Sequence, residues 1–164
     1  MPNSVQPSAA TSSFVSKDAA KQFLAQALPA ATAANPKFRS GTEGVLQAWI
    51  VKSVEFRDGG GSNDLLLSMS EVALEFRNGV RTHTGSDEVE FSLGAVAISE
   101  RRDPGTIAET GDVSMAVMFQ CNAGNCIRKA KDGKATTTDW IDVSIQDNAA
   151  RAKILAAFQM LKGP

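Results

Sequence analysis

The chain has 164 residues, with 17 basic and 18 acidic side chains and a net charge of −1. Its composition, 43% hydrophobic and 21% charged, is that of an ordinary globular protein. Nucleic-acid-binding proteins usually carry a basic excess or a basic stripe. Neither is present, since Arg101–Arg102 is followed at once by Asp103. We therefore expect one domain with appendages and no nucleic-acid partner.

The first fifteen residues are rich in Ser, Ala, Pro and Thr and carry no charge. Such a segment offers little apolar surface to offset its ordering entropy, which predicts a flexible leader over 1–15. It lacks the basic start and apolar core of a signal peptide, and no apolar run approaches the roughly 18 residues of a transmembrane helix. The sequence as given thus predicts a cytoplasmic protein. Removal of a preceding leader would instead indicate a secreted or periplasmic one.

Residues 16–37 are predicted to form an N-terminal helix and a linker. Ser16 can cap the helix, and five apolar residues share one face: Ala20, Phe23, Leu24, Ala27 and Leu28. Pro29 is predicted to end the helix, and residues 30–37 then form the linker. An isolated helix of this length is marginal in water, so we expect it to pack on the rest of the chain.

A β-rich domain with a C-terminal helix is predicted for residues 38–164. In the first strand one parity is apolar, with Lys52 as the exception: Leu46, Ala48, Ile50, Val54 and Phe56. A change of parity at Ser70–Glu71 indicates a bulge or turn, and Asn78–Gly79 is a strong hairpin signal. Gly94 marks a bulge or bend. In the last segment, Asp147 can cap a helix and Gly163 can terminate it.

The order of elements is a helix, six or seven antiparallel strands and a final amphipathic helix. This order predicts an α+β protein with a bent antiparallel sheet or small barrel. Residues 45–162 resemble, in this order of elements, the pleckstrin-homology-like (PH-like) fold, in which a C-terminal helix caps two curled sheets. The segment 149–162 stands where that capping helix would. The resemblance implies a protein or peptide partner. It does not extend to inositol lipid, because the loop 57–64 is acidic and glycine-rich where lipid-binding members carry Lys and Arg.

The two cysteines of the chain lie in the segment CNAGNC, at Cys121 and Cys126. The spacing differs from the C-x-x-C redox motif and from zinc-site pairs, and a zinc ion would need further ligands although His83 is the only histidine. If residues 122–125 form a tight hairpin turn, the cysteines face each other with Cβ atoms about 4.5–5.5 Å apart. A disulfide needs about 3.5–4.5 Å. The pair is therefore a disulfide candidate in an oxidising compartment and a buried reduced pair otherwise.

His83 is the first residue to consider for catalysis, and it lies in a polar stretch before a strand. A catalytic role would need a nucleophile or acid nearby in the fold, such as Ser86, Asp87 or Glu88, and the sequence favours a solvated loop histidine. The glycine-rich segment 58–64 lacks the Lys-Ser/Thr and following helix of a P-loop and the spacing of a calcium loop. We expect no catalytic residue, metal or cofactor.

Trp49 and Trp140 both fall on the strand parity opposite their apolar neighbours. They either pack beneath a second layer, such as the N-terminal helix, or form exposed aromatic contacts of the kind enriched in binding hot spots. With His83 they are the candidate binding residues.

The leading functional hypothesis is a non-enzymatic binding module for a protein or peptide. The first alternative is a small-ligand carrier or enzyme with a pocket inside the curled sheet, which His83 would be expected to enter. The second is a structural subunit that docks through the tryptophans, and a homo-oligomer is compatible with this alternative.

Overall fold

The computed structural model describes residues 14–39, 42–59 and 64–163. Most of the predicted leader, residues 1–13, and the centre of the glycine-rich loop, residues 60–63, lie outside this part of the chain. The described residues form helix α1 (Lys17–Ala33), helix α2 (Asn148–Lys162) and nine strands. The strands are β1 (Phe38–Arg39), β2 (Val45–Asp58), β3 (Leu65–Arg77), β4 (Val80–Ser92), β5 (Val96–Thr106), β6 (Val113–Cys121), β7 (Ile127–Lys131), β8 (Lys134–Thr138) and β9 (Trp140–Ser144).

All strand pairs in the described chain are antiparallel, and they form two sheets. The larger sheet has the order β1-β2-β3-β4-β7-β8, and the smaller has the order β5-β6-β9. The predicted α+β class, with bent antiparallel sheets between an N-terminal and a C-terminal helix, is confirmed. The strands number nine among the described residues instead of six or seven. The two-residue β1 is too short to show an alternation, and the run 136–145, predicted as one strand, is divided between β8 and β9 at Asp139.

Helix α1 does not end at Pro29, so this prediction is wrong. The helix continues to Ala33, and residues 30–33 of the predicted linker are helical. Proline lacks the N–H of a helical hydrogen bond, but the last turn gains tertiary contacts. The buried Thr32 hydroxyl donates to the Leu28 carbonyl at 2.8 Å and accepts from the Val51 N–H of β2 at 2.9 Å. As expected, the helix packs on the sheets, with Leu24 and Leu28 in the core.

The expected irregularity near Ser70–Glu71 is a bulge, but its extra residue belongs to the neighbouring strand β2. Val51 pairs with Glu71 and Ser53 pairs with Ser70, which leaves Lys52 unpaired between them. The single apolar parity predicted for β2 is therefore wrong. Before the bulge the inward residues have odd numbers, including Trp49 and Val51, and after it the inward residues are Val54 and Phe56. The outer face instead carries half-buried apolar residues of β2 and β3: Leu46, Ala48, Ile50, Val72, Leu74 and Phe76.

Several local predictions about turns and helix ends are confirmed. Asn78 and Gly79 have φ values of 50° and 80° in the β3–β4 turn, a left-handed pair that suits the twist of a hairpin. A short 3₁₀ helix, Leu93–Ala95, makes the bend at Gly94. Asp147 caps α2 by accepting a hydrogen bond from the Ala150 N–H, and Gly163 ends the helix.

The segment 121–126 does not form the assumed hairpin. Strand β6 pairs with β5 and β9, whereas β7 pairs with β4 and β8, so residues 122–126 carry the chain from the smaller to the larger sheet. Cys121 and Cys126 lie at the two ends of this crossover. Their sulfur atoms are 2.06 Å apart, which is disulfide bonding distance, and their Cα atoms are 5.7 Å apart. The cysteines therefore join two sheets and not two neighbouring strands.

The hydrophobic core lies between the sheets and beneath α2. The Phe119 ring centre lies 5.1 Å from that of Phe91 and 5.0 Å from that of Phe158, so each sheet and α2 contribute one ring. The buried Arg151 of α2 donates from Nε to Glu100 of β5 at 2.7 Å. Because a buried cation needs such a partner, this ion pair fixes the helix against the smaller sheet.

Candidate functional site

A cavity of about 520 Å³ continues the space between the two sheets beyond the core. Four apolar residues belong both to the core and to the cavity lining: Met69, Val89, Ile141 and Val143. The rest of the lining is mixed, with aromatic, acidic and basic side chains. The inner face of the larger sheet is thus apolar at one end and polar at the other.

Both tryptophans line this cavity, from different sheets. Trp49 lies on the inner face of β2, half-buried, with its ring centre 5.8 Å from that of Phe38. Trp140 begins β9 and is 39% exposed. The guanidinium carbon of Arg101 lies 4.8 Å from the centre of the Trp140 ring, within the range of a cation–π contact. The bulge at Lys52 explains how Trp49 shares the inner face with Val54 despite its opposite parity.

His83 is not part of the cavity lining. It lies within strand β4, where it pairs with Glu75, and its side chain is exposed. Among the acids suggested beside it, Asp87 lines the cavity and Glu88 is exposed. The structure therefore does not bring the histidine together with the cavity, and its binding role stays a prediction.

Two carboxylates, Glu71 and Asp87, lie directly opposite each other on β3 and β4 in the cavity wall. Like charges in opposite register destabilise a sheet. Burial, and to a lesser degree the negative charges of Asp87 and Asp142, raise the pKa of Glu71 to about 7 against the opposing effect of Lys129. Strongly perturbed carboxylates in a cleft are typical of functional sites.

Asp87 is a buried charge with incomplete partners. The residue is 6% exposed, and its Oδ2 lies 3.7 Å from the Lys129 Nζ. Its Oδ1 has no hydrogen-bond partner among the described residues, and the same holds for the Oγ of Ser114, which is 1% exposed. Both side chains line the cavity. Because buried polar atoms are nearly always paired in folded proteins, these two atoms are suited to a ligand.

The smaller sheet adds two more carboxylates to the cavity. Burial and the nearby Asp103 raise the pKa of Asp142 to about 6, against the effects of Arg101 and Lys129. The Arg101 Nε lies 3.9 Å from the Asp142 carboxylate. Asp103 sits where the pairing of β5 with β6 is irregular, and it accepts a hydrogen bond from the Ser144 hydroxyl at 3.0 Å. These two acids therefore have partners within the chain.

Sequence reasoning did not single out Glu71, although a signal was present. Leu65, Leu67 and Met69 share one parity of β3, and Glu71 continues that parity. An acid on the inward parity of a strand marks either a strand end or a polar space inside the protein. The expectation of a bulge or turn at Ser70–Glu71 does not include this second explanation.

The described part of the chain contains no group of three or more His, Cys, Asp or Glu side chains placed to hold a metal ion. Of the described helices, neither is long and apolar enough to cross a membrane. Comparison of the chain with protein-family models, with curated proteins and with solved structures finds no match in any of the three. The cavity offers aromatic faces, two unpaired acceptor atoms and a volume suited to a side chain or small molecule.

Proposed function

We propose that the protein is a non-enzymatic binding module for a protein or peptide, and that a side chain of this partner enters the cavity. The observation that carries the proposal is that the chain's only two tryptophans line one cavity from two different sheets. Tryptophan combines a large apolar face with a polar N–H and is among the residues most enriched in binding hot spots.

The edge of the smaller sheet supports a peptide as the partner. Within the described sheets, β9 pairs with β6 alone, and it carries Trp140 at its start. An extended peptide can add to such a free edge and direct alternate side chains into neighbouring pockets. Ile141 and Val143 of β9 also line the cavity, so a peptide along this edge would pass directly beside it.

We also propose that the α+β arrangement is a PH-like fold. Two antiparallel sheets and a C-terminal helix whose Phe158 packs against Phe119 support it. The resemblance adds to the case for a protein or peptide partner. An experimental structure in which α2 leaves the space between the sheets would contradict this part of the proposal.

A small-ligand carrier or an enzyme is a second candidate, favoured by the cavity volume and by Glu71. A volume of about 520 Å³ lies within the range of about 300–1,000 Å³ common for small-molecule sites. A carboxyl group whose pKa is raised to about 7 suits general acid–base chemistry. Turnover of a small molecule that is lost in Glu71→Gln would favour this candidate over the leading one.

A structural subunit is a third candidate, favoured by the outer face of β2 and β3. Six half-buried apolar residues lie on this outer face: Leu46, Ala48, Ile50, Val72, Leu74 and Phe76. A sedimentation-equilibrium measurement in which native chain dimerises and Leu74→Glu does not would support assembly through this face.

For the compartment we propose an oxidising one, secreted or periplasmic. The support is the pair Cys121 and Cys126 at disulfide distance, because disulfides persist in such compartments and are rare in the cytoplasm.

The test uses the tryptophans as reporters. Peptides are selected from a random displayed library against the full chain, and each is titrated while intrinsic tryptophan fluorescence is recorded. We expect selected peptides to change the fluorescence, and Trp140→Ala to weaken their binding by about tenfold or more. The matched control is Val80→Ala, which is 64% exposed and outside the cavity lining. Equal binding to native and Trp140→Ala chains would contradict the proposal.

A further inference from the structure

Glu71 has no partner inside the described chain. Its side chain lines the cavity, is half-buried and makes neither a hydrogen bond nor an ion pair with any described residue. The nearest fixed charge in register is another carboxylate, Asp87, directly opposite on β4. The cost of a half-buried carboxylate next to a like charge is relieved either by a bound proton or by a positive charge.

Two unpaired oxygen atoms in the cavity lining can accept hydrogen bonds from a ligand. A carboxylate oxygen can only accept hydrogen bonds, and the buried Oδ1 of Asp87 accepts none from the described residues. The Ser114 Oγ, also unpaired there, can accept as well. An ammonium group supplies three donors and no acceptor, and a guanidinium supplies five. These groups match the unfilled acceptors better than a neutral or anionic group does.

The basic residues of the lining do not neutralise the acids around Glu71. The cavity is lined by four acids and three bases: Glu71, Asp87, Asp103, Asp142, Arg39, Lys129 and Lys131. Lys129 is committed to the Oδ2 of Asp87 at 3.7 Å. Burial and the charges of Asp87 and Asp142 outweigh this lysine and hold the pKa of Glu71 at about 7, so a further positive charge in the cavity would stabilise the ionised form of Glu71.

The aromatic walls suit the same chemistry. A cation is attracted to the face of a tryptophan ring. Within the protein, Arg101 makes such a cation–π contact with Trp140. Trp49, by contrast, has no such cation contact among the described residues, although it lies in the cavity wall.

We propose that the cavity receives the basic side chain, lysine or arginine, of a partner peptide, with Glu71, Asp87 and Ser114 as acceptors and Trp49 as the ring beside it. This inference rests on the proposed function and names the chemistry of the side chain that the cavity binds.

The experiment compares defined probes by tryptophan fluorescence on the full chain. The probes are five-residue blocked peptides, Gly-Ala-Xaa-Ala-Gly, in which Xaa is lysine, arginine, norleucine or glutamate, and free butylammonium. We expect the lysine or arginine peptide to bind at least about tenfold more tightly than the norleucine peptide, and the glutamate peptide to bind most weakly. We also expect butylammonium to bind more weakly than the basic peptide.

Two variants identify the contact. Glu71→Gln removes an acid that holds no other residue in place, so it should fold, and we expect it to reduce the preference for lysine over norleucine by about tenfold. Glu88→Gln is the matched control because Glu88 is the neighbour of Asp87 on the exposed face of β4, and it should leave this preference unchanged. Calorimetry of the lysine peptide at pH 7 in buffers of different ionisation enthalpy should reveal release of a proton from Glu71.

The outcomes distinguish failure of this inference from failure of the proposed peptide-binding function. Equal binding of lysine and norleucine peptides, or an unchanged preference in Glu71→Gln, would overturn the assignment of a basic side chain to the cavity. This holds even where library-selected peptides still bind through Trp140. Binding of butylammonium with no binding of the lysine peptide would overturn the peptide as its source and with it the leading function. Absence of binding by every basic probe at millimolar concentration would overturn the inference outright.

Discussion

The space between the two sheets has an apolar core at one end and a polar cavity at the other, although the same strands line both ends. Along β3, Leu65, Leu67 and Met69 are buried in the core, whereas two residues further on Glu71 lines the cavity. The core end is closed by three phenylalanine rings in tilted and edge-to-face contact. The cavity end contains opposed carboxylates and orphaned acceptors. Strand β3 thus contributes stabilising apolar side chains at one end and a destabilising carboxylate at the other.

The difference teaches where stability and binding lie in this molecule. Removing an apolar group from the core end takes away buried area and leaves a void. Removing a charge from the cavity end relieves repulsion and desolvation. Substitutions at the two ends should therefore change the free energy of unfolding in opposite directions.

The largest effect is expected at the core end. Phe119→Ala removes the ring that contacts both Phe91 and Phe158, and should lower the free energy of unfolding by about 3–5 kcal/mol. Urea denaturation measures this. The control is Met118→Ala, the half-buried neighbour on the other face of β6, which should cost less. A loss at Phe119 no larger than that at Met118 would show that the three rings do not stabilise the core end as described.

The next effect concerns the crossover between the sheets. Alkylation without reductant should add no groups to Cys121 and Cys126, as judged by intact mass, because the two cysteines are paired with each other. Replacing both cysteines by serine should lower the free energy of unfolding by about 2 kcal/mol, as expected for a short closed loop. Two alkyl groups on the native chain, purified without reductant, would eliminate the bond.

At the cavity end the pH dependence has a defined sign. The pKa of Glu71 is raised from 4.5 to about 7 in the folded chain, so the folded state binds the proton more tightly and stability falls as pH rises through this window. The other charged groups that line the cavity are Arg39 on β1, Asp87 on β4, Asp103 on β5, Lys129 and Lys131 on β7, and Asp142 on β9. Asp142, with its pKa raised to about 6, contributes with the same sign.

Glu71→Gln should therefore stabilise the protein at pH 8, by about 1–2 kcal/mol after allowance for solvent screening, and have little effect at pH 5. Denaturation curves at the two pH values measure this, with Glu88→Gln as the control. A destabilised Glu71→Gln at pH 8 would mean that the carboxylate has a stabilising partner after all, and would remove the contrast between the two ends.

The smallest effect is expected at His83. Because the side chain is exposed and outside the cavity, His83→Ala should change stability by no more than about 0.5 kcal/mol and leave peptide affinity unchanged. Differential scanning calorimetry and the fluorescence titration measure both. A clear loss of affinity would extend the site beyond the cavity.

The features that were predictable from the sequence depend on neighbouring residues. The Asn78–Gly79 hairpin and the Asp147 cap are local, since each is decided by a few adjacent side chains. The helix past Pro29 and the crossover after Cys121 depend on contacts with distant strands, which no local pattern encodes. For the site, strand alternation alone singles out the two tryptophans. That they line the same cavity depends on how the strands pair in the two sheets, which the sequence does not show. Glu71 is not among the residues predicted from the sequence.

The bulge at Lys52 has a consequence for how this strand could change by mutation. Lys52 is unpaired, and the residues on either side of it pair with consecutive residues of β3. Deleting Lys52 would leave an unbroken alternation in which Trp49, Val51 and Val54 keep their partners and their inward faces. In evolutionary terms, one codon could be gained or lost here without turning the tryptophan away from the cavity, and only the local bend of the strand would change.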